Sequence, residues 1–302
     1  MDHAIELSNV SYRASPTFEI RNLDLTVPYG SIYGFLGPNG SGKTTTIRLA
    51  MGHLRADAGR IEVLGTEIPR ESPRALLRTG YVPERPHLYR QLTIREALWL
   101  HSGYYRTWDV SRAEELLAGF NLREGQRISS LSKGQVGQFL FVLVISQRPE
   151  LLILDEPTDG LDPIVRKQVL SALLGYVADT GATVFISSHL VHELERICDW
   201  VGVLDKGSLV AELPMESFKA GIKRLRVTNA PASADDAPFI VLLRENTDPV
   251  SGVETWLVRG WKNAMTQYFD GVGASVREVV HLDLEEAFVE LLASARETPS
   301  GI

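Results

Sequence analysis

The sequence predicts an α/β fold in which helices cover both faces of a parallel sheet, followed by a smaller α/β domain. Short apolar segments with the spacing of strands alternate with longer segments of helical spacing, and this alternation is typical of parallel sheets. A glycine-rich loop lies between an apolar strand and a helix, and the composition changes near residue 220. The 302 residues, of which 44% are hydrophobic and 23% charged, suit one large globular domain or two.

Residues 1–36 are predicted to be rich in strands, and a further strand is predicted at 59–64. Alternating apolar residues or short apolar runs mark four strands, near residues 5–10, 23–27, 31–36 and 59–64. Residues 44–51 have helical character, and Gly52 is placed to end that helix.

Helical and strand patterns alternate from residue 90 to residue 198. Charged residues interleaved with leucines predict mainly helix over residues 90–128. The later predicted elements, in chain order, are a buried helix (135–146), a strand (151–154), a helix (164–176), a strand (184–186) and a helix (192–198). Cys198, the single cysteine, is interpreted as a packing residue on the last helix because apolar residues flank it at helical spacing.

A second domain is predicted for residues 221–302. Residues 229–238 are rich in Ala, Pro, Ser and Asp, as in a loop or linker. Beyond them, strands are predicted at 239–244 and 254–258, and helices at 264–269 and 284–296. A dimerisation element and a plain stabiliser are the favoured roles for this domain, and a regulatory role stays open.

Charge and hydropathy exclude several classes of protein. The formal net charge of −7 disfavours a dedicated nucleic-acid binder, which would more often be basic. The longest apolar run, Phe139–Ile145, is far shorter than the roughly 20 residues that span a bilayer. A lone cysteine cannot form an internal disulfide, and residues 1–10 lack the pattern of a signal peptide. Any role at a membrane is therefore expected to depend on a partner protein.

The strongest local signal is a glycine-rich loop that matches the phosphate-loop pattern G-x-x-x-x-G-K-[S/T]. Glycines let backbone amides approach phosphate oxygens, and the following helix directs its amino-terminal dipole at the anion. The lysine adds a positive charge, and the threonine hydroxyl after it can bind Mg²⁺. The candidate phosphate-binding residues are Gly37, Pro38, Asn39, Gly40, Ser41, Gly42, Lys43, Thr44 and Thr45.

A second candidate site follows the apolar strand at 151–154, which ends in Asp155 and Glu156. The carboxyl ends of parallel strands are where ligands bind in such sheets. Asp155 is the candidate Mg²⁺ ligand, and Glu156 is placed to polarise an attacking water. Two acids after a strand are by themselves more often a solvated turn, but the phosphate loop favours the functional interpretation.

Further motifs narrow the family. Leu131, Ser132, Lys133, Gly134 and Gln135 resemble the L-S-x-G-Q signature of ATP-binding cassette proteins. The run from Asp159 to Asp162 is similar to the D-loop of that family, and His189 to its switch histidine. The order and spacing of these motifs match over residues 1 to about 220, with a helical subdomain expected at about 85–150.

The resemblance implies a P-loop ATPase core with an antiparallel β subdomain and roles for individual residues. The signature would bind the γ-phosphate of ATP held by a partner cassette, and Asp162 would act across that interface. His189 would contact the γ-phosphate and act with Lys43 and Glu156 in hydrolysis. Taken alone, Ser132 reads as a helix N-cap and His189 as a strand-end histidine bonded to backbone.

The sequence departs from the family pattern in three places. Glu84 occupies the coupling loop, where many members carry glutamine, and it is a further candidate near Mg²⁺. Ala14 stands where an aromatic ring usually stacks on adenine, so Tyr12 and Phe18 are the candidates to replace it. Residues 136–138 lack the basic residues that are common after the signature.

The resemblance therefore implies an ATP-hydrolysing subunit that dimerises around ATP and Mg²⁺. It would power transport, with export favoured, through a separate membrane-spanning permease, and would lie on the cytoplasmic face of the membrane. The dimer could be formed with a second copy or with a different cassette, and no nucleic acid is expected as a partner. Two alternatives are a soluble ATPase of the same superfamily and a catalytically weak regulatory cassette.

Overall fold

The computed structural model describes residues 3–248 and 252–297, which form three β-sheets. The first sheet is antiparallel and has the strand order β2-β1-β4-β5. Its strands are β1 (His3–Ser15), β2 (Phe18–Pro28), β4 (Ala58–Val63) and β5 (Thr66–Ile68). Alternate residues such as Ile5 and Leu7 are buried, because one face of this sheet packs on the core.

The second sheet has the strand order β10-β9-β3-β8-β7-β6. All its neighbouring strands are parallel except β10, which is antiparallel to β9. Its strands are β3 (Ile32–Leu36), β6 (Thr79–Val82), β7 (Leu151–Asp155), β8 (Thr183–Ser188), β9 (Trp200–Asp205) and β10 (Ser208–Pro214). Every residue of β3, β7 and β8 is buried, which explains their continuous apolar character.

Helices complete the core around this parallel sheet. They are α1 (Lys43–Ala50), α2 (Ser72–Leu76), α3 (Ile94–Ser102), α4 (Val110–Gly119), α5 (Lys133–Ile145), α6 (Pro163–Thr180), α7 (Val191–Leu194) and α8 (Met215–Gly221). The apolar run in α5 is buried from Gln138 to Ile145, so it forms a core helix. Within residues 3–248 and 252–297, no helix combines the length and hydropathy needed to cross a membrane.

The third sheet is antiparallel, with the strand order β12-β13-β11-β14. Its elements are β11 (Ile222–Thr228), β12 (Ile240–Asp248), β13 (Val253–Arg259), α9 (Thr266–Gly271), β14 (Ser275–His281) and α10 (Leu284–Glu297). An aromatic cluster of Phe239, Trp256, Trp261 and Phe269 fills one face. On the other side, α10 packs against α7, β9 and β10, and its residues Phe288 and Leu291 join the core of the parallel sheet.

The structure differs from the sequence-based elements in two respects. The strands β5, β6, β9, β10, β11 and β14 and the helices α2 and α8 were not among the predicted elements, because they are short, alternate weakly or lie beside stronger signals. The helix predicted over 192–198 is wrong beyond Leu194, where α7 ends. The Asp199 backbone N–H and carboxylate both bond to Ile32, so the chain must turn into β9 and leaves the helix early. Cys198 is nevertheless buried, as its interpretation as a packing residue requires.

Candidate active site

The carboxyl ends of four neighbouring parallel strands, β3, β8, β7 and β6, bring the predicted site residues to one edge of the sheet. In the observed register, Leu36 pairs with Ser188, and Val82 pairs with Leu154. Gly37, His189 and Glu156 directly follow β3, β8 and β7, and Glu84 lies two residues after the end of β6. Segments far apart in sequence therefore meet beside the phosphate loop, as parallel-sheet topology requires.

The phosphate loop joins β3 to α1 and depends on glycine at two positions. Gly42 has a φ of 116°, and a Cβ there would lie 2.9 Å from the Phe18 ring. A Cβ on Gly37 would lie 2.4 Å from the Leu204 carbonyl oxygen, so only glycine fits without a shift. The Lys43 ammonium donates to the Gly37 carbonyl at 2.7 Å and curls back over the loop.

Lys43, Glu156 and His189 form a contiguous polar group. Lys43 Nζ lies 3.2 Å from Glu156 Oε1, and His189 Nδ1 lies 2.9 Å from Glu156 Oε2. The side chains of Lys43 and Glu156 are only 6% and 11% exposed, whereas His189 is 32% exposed and faces the opening. The Glu156 carboxylate is thus largely shielded from solvent and lies between the nitrogen donors of Lys43 and His189. In this position it can hold and polarise a water molecule.

Asp155 lies deeper than Glu156 and is fully buried. Its Oδ1 accepts from the Ser187 hydroxyl at 2.7 Å, and that hydroxyl accepts from the Glu156 backbone N–H at 3.0 Å. Burial raises the pKa of Asp155, while hydrogen bonds from the Ser187 and Thr44 hydroxyls lower it. The Ser187 hydroxyl thus holds the backbone of Glu156 in position. The Glu156 φ of 48° is unusual for a residue with a side chain.

Asp155 and Thr44 fit an Mg²⁺ ion by the chemistry of their donor atoms. Asp155 Oδ2 is buried and has no hydrogen-bond partner among the described residues, so one carboxylate oxygen remains available to bind a cation. Within the described ranges, no cluster of three or more His, Cys, Asp or Glu side chains could hold a metal. Mg²⁺ usually takes one or two carboxylates and completes its shell with water and phosphate oxygens, which matches this pair.

A pocket of about 470 Å³ opens above these residues. Six phosphate-loop residues line it, namely Asn39, Gly40, Gly42, Lys43, Thr44 and Thr45. Phe18, Glu84, Glu156, Asp159 and His189 complete the lining. Pro38 contributes its carbonyl, which accepts from the Ser41 N–H at 3.1 Å, and the Ser41 hydroxyl is buried without a partner among the described residues.

The two aromatic candidates at the amino-terminus are placed differently. Phe18, at the start of β2, lines the pocket beside Gly42. Tyr12 packs against the core below the first sheet, and Ala14 is exposed. Of these two aromatic residues, Phe18 is therefore the one that lines the pocket.

The signature residues lie apart from the pocket of their own chain. Among the described residues, none from 131 to 135 lines the pocket around Lys43. Ser132 is exposed and caps α5 through a reciprocal box, in which its hydroxyl accepts from the Gln135 N–H and the Gln135 side chain accepts from the Ser132 N–H. The N-cap interpretation of Ser132 thus holds, and the capped helix end faces outward.

The two aspartates of the D-loop run, Asp159 and Asp162, lie in different surroundings. Asp162 is exposed and caps α6, where its carboxylate accepts from the backbone N–H groups of Ile164 and Val165. Asp159 lines the pocket instead, and the Lys133 ammonium of the signature lies 3.8 Å from its carboxylate.

Two residues of the site were not predicted from the sequence. Asp159 lines the pocket, and Ser187 supports Asp155 and Glu156 through hydrogen bonds. Asp159 was within the recognised run, so its position three residues after Glu156 was an available signal. Ser187 could be found only from the pairing of β8 with β7, because nothing in its local sequence links it to Asp155.

Comparisons with known proteins agree with this geometry. Residues 20–159 match the profile of the ABC transporter family. The bacitracin transport ATP-binding protein BcrA of Bacillus licheniformis is 34% identical over 231 residues, which is 76% of this chain and 74% of that protein. The ABC transporter ATP-binding protein YtrB of Bacillus subtilis (strain 168) is 29% identical over 97% of this chain and 99% of its own length.

Solved structures of ABC transporter ATP-binding subunits have the same fold as this chain. One described as an ATP-binding subunit of an ABC transporter aligns with a TM-score of 0.64 at 27% identity, over 72% of this chain and 92% of that chain. The phosphate loop, the Asp155–Glu156 pair at a neighbouring strand end and the outward-facing signature thus occur in a chain whose relatives are ABC transporter ATP-binding proteins over most of its length. The chain belongs to the ATP-binding subunits of ABC transporters.

Proposed function

We propose that this chain binds ATP in the pocket above Lys43 and hydrolyses it to power export through a separate permease. The contact of Glu156 with both Lys43 and His189 carries the proposal, because it joins a phosphate-binding cation to a candidate water-activating carboxylate. The 470 Å³ pocket has the size of a small-ligand site.

Each residue of the pocket has a separate task in this proposal. The amides of residues 40–44 and the amino-terminus of α1 bind the phosphates, with Lys43 between the terminal two. Glu156 orients and polarises the attacking water, and His189 holds Glu156 in place and contacts the γ-phosphate. Thr44 and Asp155, with Glu84 beside them, would hold Mg²⁺. When bound, Mg²⁺ neutralises negative charge on the phosphate oxygens.

A second cassette is needed to complete the site. The signature helix end at Ser132 is an exposed anion-binding element outside its own pocket, so its phosphate ligand must come from another chain. We propose that two copies close head-to-tail, each capping the ATP of the other. Asp162, exposed at the start of α6, lies at this interface in the proposal.

The permease is proposed to dock on the segment around α3. Three aromatic side chains on or beside this helix are strongly exposed: Tyr89 (63%), Trp99 (78%) and Tyr104 (71%). A group of exposed aromatic side chains on one segment is typical of a protein–protein interface. Docking there would place the chain on the cytoplasmic face of the membrane, with Glu84 between the permease and the nucleotide.

Export is the proposed direction. Relatives include the bacitracin transport protein and a Nod factor export ATP-binding protein of Rhizobium meliloti (strain 1021), the latter 36% identical over 216 residues. Residues 1–220 form the ATPase domain in this proposal, and residues 221–302 form an accessory domain.

Purification of the tagged chain from membranes of its host tests the proposed function. We expect a protein with several membrane spans to co-purify and to accelerate ATP hydrolysis in reconstituted vesicles. Recovery with ribosomes or DNA alone would instead support the soluble ATPase. A co-purifying membrane protein without any phosphate release would support a regulatory cassette.

Replacing Phe18 with alanine is expected to weaken ATP binding. Stacking of a base on an aromatic side chain contributes about 1–3 kcal/mol, so the Kd should rise roughly 5- to 150-fold. Titration calorimetry with ATP and with inorganic triphosphate measures this. Only ATP should be affected, because triphosphate has no base, and Tyr12→Ala should leave both Kd values unchanged. Weaker ATP binding in Tyr12→Ala alone would assign the stacking role to Tyr12.

Replacing Trp99 with alanine is expected to weaken permease binding about 30-fold or more, because buried tryptophans at interfaces often contribute at least 2 kcal/mol. The affinity for the permease in detergent and the ATPase activity of the isolated chain are the two measurements. The isolated activity should stay unchanged. Tyr29→Ala is the control, since Tyr29 is an exposed aromatic before the amino end of β3, away from the pocket. Equal permease affinity in both variants would contradict the proposed docking surface.

A further inference from the structure

A buried carboxylate links the segment after His189 to the segment after Glu156. Glu193, on the short helix α7, is 7% exposed, and its Oε2 accepts from the Thr158 hydroxyl at 2.7 Å. Thr158 itself is 4% exposed. Thr158 follows Glu156 by two residues, and Glu193 follows His189 by four. This hydrogen bond therefore connects the segment after Glu156 to the segment after His189.

Arg166 connects the same carboxylate to a third segment. The Arg166 guanidinium forms an ion pair with Glu193 Oε1, although without the geometry of a hydrogen bond to that oxygen. Its Nη2 also donates to the Leu161 carbonyl at 3.4 Å. Leu161 belongs to the run that contains Asp159 and Asp162, and Arg166 lies in the first turns of α6.

Burial of the Glu193 carboxylate beside the partly exposed Arg166 is costly in desolvation, and replacing a buried ion pair by apolar residues is often neutral or stabilising. Stability alone is therefore a weak reason for this arrangement. The geometry favours a different role, because the two segments that Glu193 joins, residues 156–162 and 189–193, are those that carry Glu156, Asp159 and His189 into the pocket.

We infer that Glu193 is a positioning residue for ATP hydrolysis, which sets His189 against Glu156 and couples both to the Asp159–Asp162 run. This inference rests on the proposed function. Glu193 touches no nucleotide, since the pocket lining does not include it among the described residues. It acts through Thr158 and Arg166, and a misplacement of about 1 Å in catalytic groups can lower turnover by two orders of magnitude.

Steady-state ATPase assays of Glu193→Gln and Thr158→Val test the inference. Glutamine keeps the shape of Glu193 and an acceptor for Thr158 but removes the charge opposite Arg166, and valine removes only the hydroxyl of Thr158. We expect kcat to fall about tenfold to a hundredfold in both variants, with the Kd for a non-hydrolysable ATP analogue within about twofold of wild type. Thr158→Ser, which keeps the hydroxyl, should retain most of the turnover.

Two comparisons separate positioning from folding stability. Glu195→Gln removes a carboxylate two residues away that lies 3.9 Å from Lys219, and it should leave kcat unchanged. The double variant Glu193→Gln/Arg166→Gln removes both charges, so any loss in Tm should be recovered while kcat stays low. Recovery of kcat together with Tm, or wild-type kcat in Glu193→Gln, would overturn the inference.

The same assays distinguish this inference from the proposed function. If Glu156→Gln loses turnover but Glu193→Gln keeps the wild-type rate, the positioning role of Glu193 is rejected and the proposed function stands. Wild-type turnover that does not depend on Glu156 rejects the proposed mechanism, and the inference with it.

Discussion

Replacement of Glu156 by glutamine is expected to abolish steady-state ATP hydrolysis while leaving ATP binding intact. The amide is isosteric, but it cannot accept the proton of the attacking water, and general-base catalysis typically contributes a factor on the order of 10²–10⁴. The loss of negative charge also frees Lys43, which lies 3.2 Å from the carboxylate, to contact phosphate. Phosphate release and equilibrium binding of ATP are the two measurements.

The Glu156→Gln variant should also accumulate as an ATP-bound dimer. Because hydrolysis no longer opens the interface, size-exclusion chromatography with ATP should show a dimer that wild type holds only transiently. Glu67→Gln is the control, since that exposed carboxylate lies on β5 in the first sheet. Turnover near the wild-type rate in Glu156→Gln would remove Glu156 from the catalytic role.

Replacement of Ser132 by arginine is the second change with a large expected effect. The exposed amino-terminus of α5 would carry a long side chain where the phosphate of a second copy must approach, so the ATP site that this helix end caps cannot close. We expect turnover to fall on the order of a hundredfold, while the Kd for ATP stays near wild type because the pocket of each chain is untouched. Turnover and ATP affinity are measured on the purified chain.

Thr93→Ala is the matched control for Ser132→Arg. It removes the same kind of capping box from α3 and should cost about 1 kcal/mol of stability without loss of turnover. Mixing Ser132→Arg with Lys43→Ala gives a further check on shared sites. A mixed dimer contains one site with an intact phosphate loop and an intact signature, so activity should return only in the mixture. Full activity of Ser132→Arg alone would rule out a shared site.

The sequence predicts those parts of the site that short segments determine. The phosphate loop needs glycines, lysine and threonine at fixed spacing, and the Asp155–Glu156 pair directly follows an apolar strand. By contrast, the choice of Phe18 over Tyr12 depends on how the start of β2 folds beside Gly42. The role of Ser187 depends on the pairing of strands 32 residues apart, which no local pattern contains.

The same distinction explains where the fold was harder to predict. The strands β3, β7 and β8 are buried on both faces and read as apolar runs, so they were found. The residues of β10 and β14 are mostly half-buried or exposed, and β14 pairs with β11, which lies far from it in the sequence. The early end of α7 follows from bonds between Asp199 and Ile32, a tertiary constraint that helical spacing cannot reveal.

The packing of α10 on α7 limits how the chain can be shortened or recombined. Phe288 and Leu291 contribute to the same hydrophobic core as Leu194, so a cut after Gly221 would uncover apolar surface beside the segment that carries His189. Ile222 and Leu257 of the third sheet belong to the same core, so a chimaera that exchanges residues 222–281 must keep apolar residues at both positions. The final helix and one face of the third sheet are thus held to the rest of the chain by one shared core.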